Sequence, residues 1–373
     1  MKESIFSVIS KLAKKEQAIN LGQGFPDFDG PDFAKKYVTE AMAKGFNQYA
    51  PMEGVYLLRE KISELFQRKY NLNLDTDKEI TITSGASEAI FSTIMALVEP
   101  GDKVLAIDPI FDIYQAAVKA AGGIIDTVKC EEPDFNIPVD ELKNALKKNY
   151  KLILINTPHN PSGYMWKNAE YKILADYLEK NQCYLMSDEV YEFITFDEDH
   201  ISPIQNEAIR NKVIKVSSGG KTFGMTGWKV GWFAASAELT VKIRMMHQNI
   251  VYAAPTPLQY GIAHSLNHFT DYELELKSSY KEKRDFLFSG LQSLGWKPLK
   301  PRGGYFILCE VNHLLQERES DEDFGLRLIK EKKVATIPLS PFYISSSPNK
   351  TYVRFCLAKK KSTLEKALDN LTR

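Results

Sequence analysis

VIKVSSGGKTFGMTGWKVGW, residues 213–232, is the stretch on which the reading of the fold turns. Val213, Ile214 and Val216 form a β-branched run that predicts a strand, and Ser217-Ser218-Gly219-Gly220 ends it. Lys221 sits on that break. A glycine-rich turn and a second apolar run over 230–235 follow. A lysine at the end of a buried strand, beside hydroxyls and flexible backbone, is where an imine-forming amine is expected, because it needs a rigid mount and an open approach. Alone it would read equally as a surface lysine, one of 48 Lys+Arg. Its neighbours change the weighting.

The 373 residues suffice for two lobes and a substantial core, and 44% hydrophobic with 26% charged residues is ordinary for a globular protein. Forty-eight basic residues balance 48 acidic ones, so no global field favours nucleic acid or a membrane surface; any anion must be held by a local site. Cys130, Cys183, Cys309 and Cys356 lie far apart without CxxC spacing, which argues against a zinc site or disulfide framework and fits a reducing cytoplasm. No apolar run approaches the roughly 20 residues of a membrane span, and residues 1–19 lack the core of a signal peptide.

Upstream of the lysine the chain alternates. Ile5, Val8, Ile9 and Leu12 predict a short amphipathic helix, and NLGQGFPDFDGP (20–31) an irregular loop in which Gly24 allows close backbone approach. Helices are expected over 33–44 and 56–69. Strands over 80–83, 104–107, 124–128, 152–155 and 183–186 then alternate with helices to about 98, over 111–121, 139–148 and 168–181. Such alternation predicts an α/β fold with a mainly parallel central sheet and helices on both faces. Beyond 213–235, helices over 238–252 and 271–294 and strands over 300–310, 333–338 and 351–357 predict a smaller α+β domain. The expected division is an arm with part of the small domain at 1–40, a large domain at 41–272 and a C-terminal small domain at 273–373.

In open parallel sheets ligands bind beyond the carboxyl ends of the strands. The turn Ser84-Gly85-Ala86-Ser87, Asn160, Asp188 and Lys221 all follow strands, so they are expected on one rim. Each suits one part of pyridoxal phosphate. A helix opening at Ser84–Ser87 offers free N–H groups to a phosphate, although an ordinary N-cap looks the same. Asp188 suits a protonated ring nitrogen, Tyr191 and Asn160 a phenolic oxygen, and Phe111 a ring face. Ser218 and Lys229 add phosphate contacts. Arg354, inside an apolar strand, is costly to bury unpaired; a substrate carboxylate or a structural salt bridge would satisfy it.

The motifs LGQGFPDF, NQYAPMEG, SGASEAI, PHNPSG, SDEVYE, GKTFGMTGWKVGW, PRGGYF and YVRFCLAK together resemble the class I/II, fold-type-I aminotransferases. The branch they most resemble holds kynurenine aminotransferase, glutamine transaminase K and bacterial methionine aminotransferase. The resemblance implies the fold-type-I transferase architecture and a homodimer with active sites at the subunit interface. It further implies pyridoxal 5'-phosphate bonded to Lys221, with Asp188 on the ring nitrogen, Asn160 and Tyr191 on the ring oxygen, and Phe111 stacked on the ring. Ser84, Gly85, Ala86, Ser87, Ser218 and Lys229 would form the phosphate cup, joined by Tyr49 of a neighbouring subunit. Gly24, Asn160 and Arg354 would hold the substrate carboxylate, and Phe6, Phe25 and Tyr252 an apolar or aromatic side chain. Gly220 and Lys229 replace the serine and arginine common in the wider family, as this branch's pattern does.

The implied activity is ping-pong transfer of an amino group from methionine or an aromatic amino acid to a 2-oxo acid in the cytoplasm, without metal. Kynurenine or glutamine as donor is the alternative, as is β-elimination from cystathionine-type substrates. A ligand-sensing regulator domain on this fold would need an attached DNA-binding module, for which 373 residues are expected to leave no room.

Overall fold

A computed structural model describes residues 4–345 and 348–372. The chain begins with α1 (Ile5–Lys15), β1 (Ile19–Asn20), α2 (Asp32–Ala43) and α3 (Tyr56–Tyr70). An alternating run follows: β2 (Ile80–Ser84), α4 (Gly85–Leu97), β3 (Lys103–Asp108), α5 (Asp112–Ala120), β4 (Ile124–Lys129), α6 (Val139–Ala145), β5 (Leu152–Asn156), α7 (Asn168–Lys180) and β6 (Tyr184–Asp188). The lysine segment forms β7 (Val213–Ser218), the one-turn α8 (Gly219–Thr222) and β8 (Val230–Ala234). Next come α9 (Ala237–Ile250), α10 (Thr256–Ser265) and α11 (Phe269–Ser293). The remainder is β9 (Lys297–Pro298), β10 (Phe306–Glu310), α12 (Asp321–Lys332), β11 (Val334–Ala335), β12 (Ile337–Pro338), β13 (Tyr352–Cys356) and α13 (Lys361–Thr372).

Seven strands form the central sheet in the order β2-β8-β7-β6-β5-β3-β4. The fold is the expected α/β arrangement: every pairing is parallel except those of β8, which is antiparallel to β2 and β7. The connection 219–229 is too short for a crossover helix, so β8 must return beside β7 in the opposite sense. Both sheet faces are covered. Val104, Leu152, Leu154 and Val216 enter one apolar cluster, while their neighbours Leu105, Ile153, Ile155 and Val213 enter the other. This two-sided burial explains why the strands read as continuous apolar runs. Because the strands are parallel, Asp108, Asn156, Asp188 and Ser218 end on one rim. Val230 opens antiparallel β8 there too, opposite Ser84.

A second sheet, β12-β13-β10-β9, is antiparallel and belongs to the C-terminal part. Arg354 lies mid-strand in β13, paired with Leu308 and Ile337. The N-terminal arm joins this part of the chain, since β1 pairs in parallel with β11 through Ile19↔Val334 and Asn20↔Ala335. α1 buries Ile9 and Ala13, as an amphipathic helix this short must.

Several expected elements differ. The strand expected over 300–310 begins only at Phe306, because the N–H groups of Arg302 and Gly303 donate to the Gly163 carbonyl at 3.1 and 3.0 Å rather than to a ladder. The run 333–338 splits at Thr336 into β11 and β12, which pair in different sheets: β11 with β1 and β12 with β13. The helix expected over 139–148 stops at Ala145. α10 is not among the expected helices; Pro257 sits in its first turn, where a missing N–H costs nothing. α12 and α13 were not anticipated. Position 272, the expected edge of the large domain, falls inside the continuous α11. Among the described residues no helix is long and apolar enough to cross a membrane.

Candidate active site

A cavity of about 450 Å³ opens over the strand-end rim, between the central sheet, the arm and the C-terminal sheet. Lys221 enters it from α8, whose cap Ser218 accepts the Lys221 N–H on Oγ at 3.3 Å. Lys221 Nζ donates to Tyr305 Oη at 2.8 Å and to the Gly24 carbonyl at 3.3 Å, and Tyr305 Oη donates to that carbonyl at 2.6 Å. Any side chain at Gly24 would press on the Phe306 ring, since a Cβ would sit 2.9 Å from Phe306 Cζ. Burial, with the charges of Arg354 and Lys229 acting in the same sense, pushes the Lys221 pKa down to about 8. A usable fraction is therefore free amine near neutrality.

Asp188 ends β6, buried at 3% exposure. Its Oδ2 accepts the Tyr114 hydroxyl at 2.6 Å, its Oδ1 the Val190 N–H at 3.4 Å, and its carbonyl Asn156 Nδ2 at 2.9 Å. Burial pushes its pKa up to about 6, against those hydrogen bonds and the charge of Lys221. Such a carboxyl gains by meeting a cationic N–H from the cavity. Beneath it runs a buried network absent from the sequence reading. Lys215 Nζ lies 3.1 Å from Glu189 and 2.6 Å from Glu192, and His200 and Ser202 complete the shell of Glu189 at 2.7 and 2.8 Å. Glu189 directly follows Asp188 and Glu192 directly follows Tyr191, so this network holds that turn.

At one end of the cavity, α4 begins. The N–H groups of its first turn have no partners within the helix. Gly231 of β8 runs against this turn, where a Cβ would lie 2.6 Å from the Ala86 nitrogen. Ala86, Ser87, Ser218, Thr226 and Lys229 line the cavity near it. Positive helix end, hydroxyls and one ammonium make a cradle suited to a dianion.

Elsewhere in the cavity Arg354 is buried at 2% exposure. Its Nη1 donates to Asn160 Oδ1 at 2.8 Å and its Nη2 to the Gly22 carbonyl at 2.9 Å. Its Nε, equally buried, has no partner among the described residues. The guanidinium lies 4.0 Å from the Phe306 ring and 5.5 Å from the Phe6 ring. A buried guanidinium without a carboxylate partner is strongly disfavoured unless one arrives from outside.

The cavity brings together Phe6, Gly24, Phe25, Gly85, Ala86, Ser87, Phe111, Asn160, Asp188, Tyr191, Ser218, Lys221, Lys229 and Arg354 of the expected set. Ser84 stays off its lining; its N–H donates to Glu88 Oε2 at 3.1 Å, which secures the turn. Tyr49 and Tyr252 lie outside as well, 86% and 43% exposed, with their rings 5.6 Å apart. Sequence reasoning missed Tyr305, Tyr114 and Asp112. Tyr305 lies within the quoted PRGGYF and Tyr114 one helical turn beyond Phe111, but neither spacing names a partner.

These residues fit pyridoxal phosphate through the buried carboxyl of Asp188, which suits a ring N–H, while the orphaned Nε of Arg354 suits a substrate's carboxylate. A glycine-backed cradle for the phosphate and a free amine for the aldehyde accompany them.

The signature of the family Aminotransferase class I and II matches residues 16–371. The chain is 40% identical over 369 residues to a methionine aminotransferase of Escherichia coli (strain K12), covering 99% of this chain and 95% of that protein. It is 33% identical over 392 residues to kynurenine–oxoglutarate transaminase 3 of Homo sapiens, covering 98% and 86% respectively. A crystal structure from Escherichia coli, described as identifying a methionine aminotransferase function, superimposes with a TM-score of 0.95 at 38% identity, covering 100% of this chain and 97% of that one.

Proposed function

The chain belongs to the class I and II aminotransferases, and from that membership we propose that it transfers the amino group of methionine or an aromatic amino acid to a 2-oxo acid with pyridoxal phosphate bound in the rim cavity. The observation that carries the reading is Lys221 Nζ, freed toward neutrality and seated in the same cavity as Asp188 and Arg354. When bound, the cofactor supplies an aldehyde that exchanges between amines and a protonated ring that holds the electron pair released at the substrate Cα. Lys221 would anchor it, Asp188 would hold its ring N–H, Asn160 and Tyr191 its phenolic oxygen, Phe111 its ring face, and the α4 cradle its phosphate.

The chain's own groups then divide the work. Arg354 binds the substrate carboxylate through its unpaired edge and so orients Cα. Lys221 Nζ, once free, takes the Cα proton as base and returns a proton as acid. The rings of Phe6, Phe25 and Phe306 surround the side chain and exclude water. Replacing Arg354 by lysine loses the planar fork. Its expected effect is a fall in kcat/KM for amino acids of roughly 100-fold, carried mostly by KM. An unchanged KM in steady-state kinetics would take Arg354 out of carboxylate recognition.

Beyond Arg354, no cation among the described residues of the cavity lining stands ready for a second carboxylate, because Lys221 and Lys229 belong to the aldehyde and phosphate positions. Asp112, at the first position of α5, adds a negative charge to that lining. Methionine and phenylalanine are therefore expected to exceed aspartate in kcat/KM by on the order of 100-fold, since a buried unpaired charge costs several kcal/mol. A preference for aspartate would overturn the apolar-pocket reading.

We further place a second copy of the chain against the face carrying Phe46, Tyr49, Ile250 and Tyr252, large apolar groups left 39–86% exposed on one chain. Free, buried cysteines are in keeping with a reducing cytoplasm.

A further inference from the structure

Tyr305 has no part in the roles assigned above, yet it touches the reacting nitrogen directly. It is 1% exposed, and burial drives its hydroxyl well above the ordinary phenol range, so it stays protonated throughout the working pH. Its proton is already committed, because Oη donates to the Gly24 carbonyl at 2.6 Å. The oxygen's lone pairs are then what it offers Lys221 Nζ at 2.8 Å. Two acceptors, Tyr305 Oη and the Gly24 carbonyl, thus face one amine. The phenol ring is clamped edge-on by Tyr191 at 4.9 Å and stacked on Tyr280 at 6.2 Å, which leaves the hydroxyl little freedom to move away.

We propose that Tyr305 is a further catalytic residue: its hydroxyl, with the Gly24 carbonyl, is the seat that receives the Lys221 amine whenever that amine is free. The inference rests on the transaminase reading. When Lys221 has taken the substrate's Cα proton it is an ammonium, and both acceptors bind the ammonium more strongly than the neutral amine. The seat stabilises the protonated lysine between taking the proton and returning it, and keeps its tip from rotating out of reach. Tyr305 carries no proton itself. The Cα proton moves to Nζ and leaves from Nζ, so the balance closes on the lysine.

The test uses the full chain freed of cofactor, in which Lys221 is labelled with trinitrobenzenesulfonate across pH and its peptide is quantified by mass spectrometry. In Tyr305→Phe the ammonium loses one charge-assisted acceptor, so the labelling midpoint is expected to fall by roughly one pH unit. With cofactor restored, kcat should fall about tenfold while KM for methionine holds. Tyr280→Phe is the packing control: its hydroxyl is buried without a partner among the described residues, so neither readout should move. A wild-type midpoint and kcat in Tyr305→Phe would overturn the proposal, as would equal shifts in Tyr280→Phe. Should Tyr305→Phe not fold, Tyr305→3-fluorotyrosine keeps the shape and weakens the acceptor; a smaller shift in the same direction is then expected, and no shift overturns the seat. Turnover surviving in Lys221→Ala would instead sink the transaminase reading itself.

Discussion

Lys221→Ala is expected to reduce kcat by on the order of 10⁵-fold or more, because one nitrogen serves as covalent anchor, base and acid. Removing it takes away three functions at once, and no other amine among the described residues is placed to replace it: Lys229 sits against Gly85, Lys215 is enclosed by Glu189 and Glu192, and Lys359 is held by the Gln23 and Phe25 carbonyls. Purified with pyridoxal phosphate, the wild-type protein should show the visible absorption band of a lysine-bound cofactor, and methionine should bleach it. The variant should lack that band and show at most the spectrum of loosely held aldehyde. Wild-type turnover in the variant would end the assignment of this cavity as the active site.

Asp188→Asn is expected to lower kcat about 1,000-fold with the cofactor still bound, since the amide cannot hold a ring nitrogen protonated and the electron pair loses its sink. The stability of the cofactor-free chain should move the other way. The carboxyl has a folded pKa of about 6 and an unfolded one near 3.9, so the folded chain keeps a proton that the unfolded chain has already released. The stabilisation from that proton is complete below about pH 4 and is lost as pH rises through 6, a change of roughly 3 kcal/mol. Asparagine has no such loss. Melting curves of the two chains should therefore diverge between about pH 4 and pH 8, with Asp188→Asn gaining on the wild type as pH rises. A constant difference across that range would show that burial does not hold the Asp188 proton. An undiminished kcat would remove its role in the reaction.

The rim was readable because its parts are local. A β-branched run broken by serines and glycines is a strand end at Lys221 whatever lies elsewhere, and Ser84–Ser87 opens a helix for the same reason. Misreadings came where local signals compete. Pro255 and Pro257 mask the start of α10, and the apolar run 333–338 is divided between two sheets at Thr336. α12 and α13 are hidden among charged residues, because few large apolar side chains on each are buried: Phe324, Leu328 and Ile329 on one, Leu364 and Leu371 on the other.

From the order of residues alone came the parallel sheet, the lysine, the aspartate and the family motifs, since each depends on neighbours a few positions away. The three-dimensional packing alone chose what surrounds them. Tyr305 meets Lys221 across 84 positions and Gly24 across 281, and Arg354 meets Asn160 across 194. Contacts at such separations have no period to detect; they exist because two sheets and an arm close on one rim, and burial there sets the charge of every group inside.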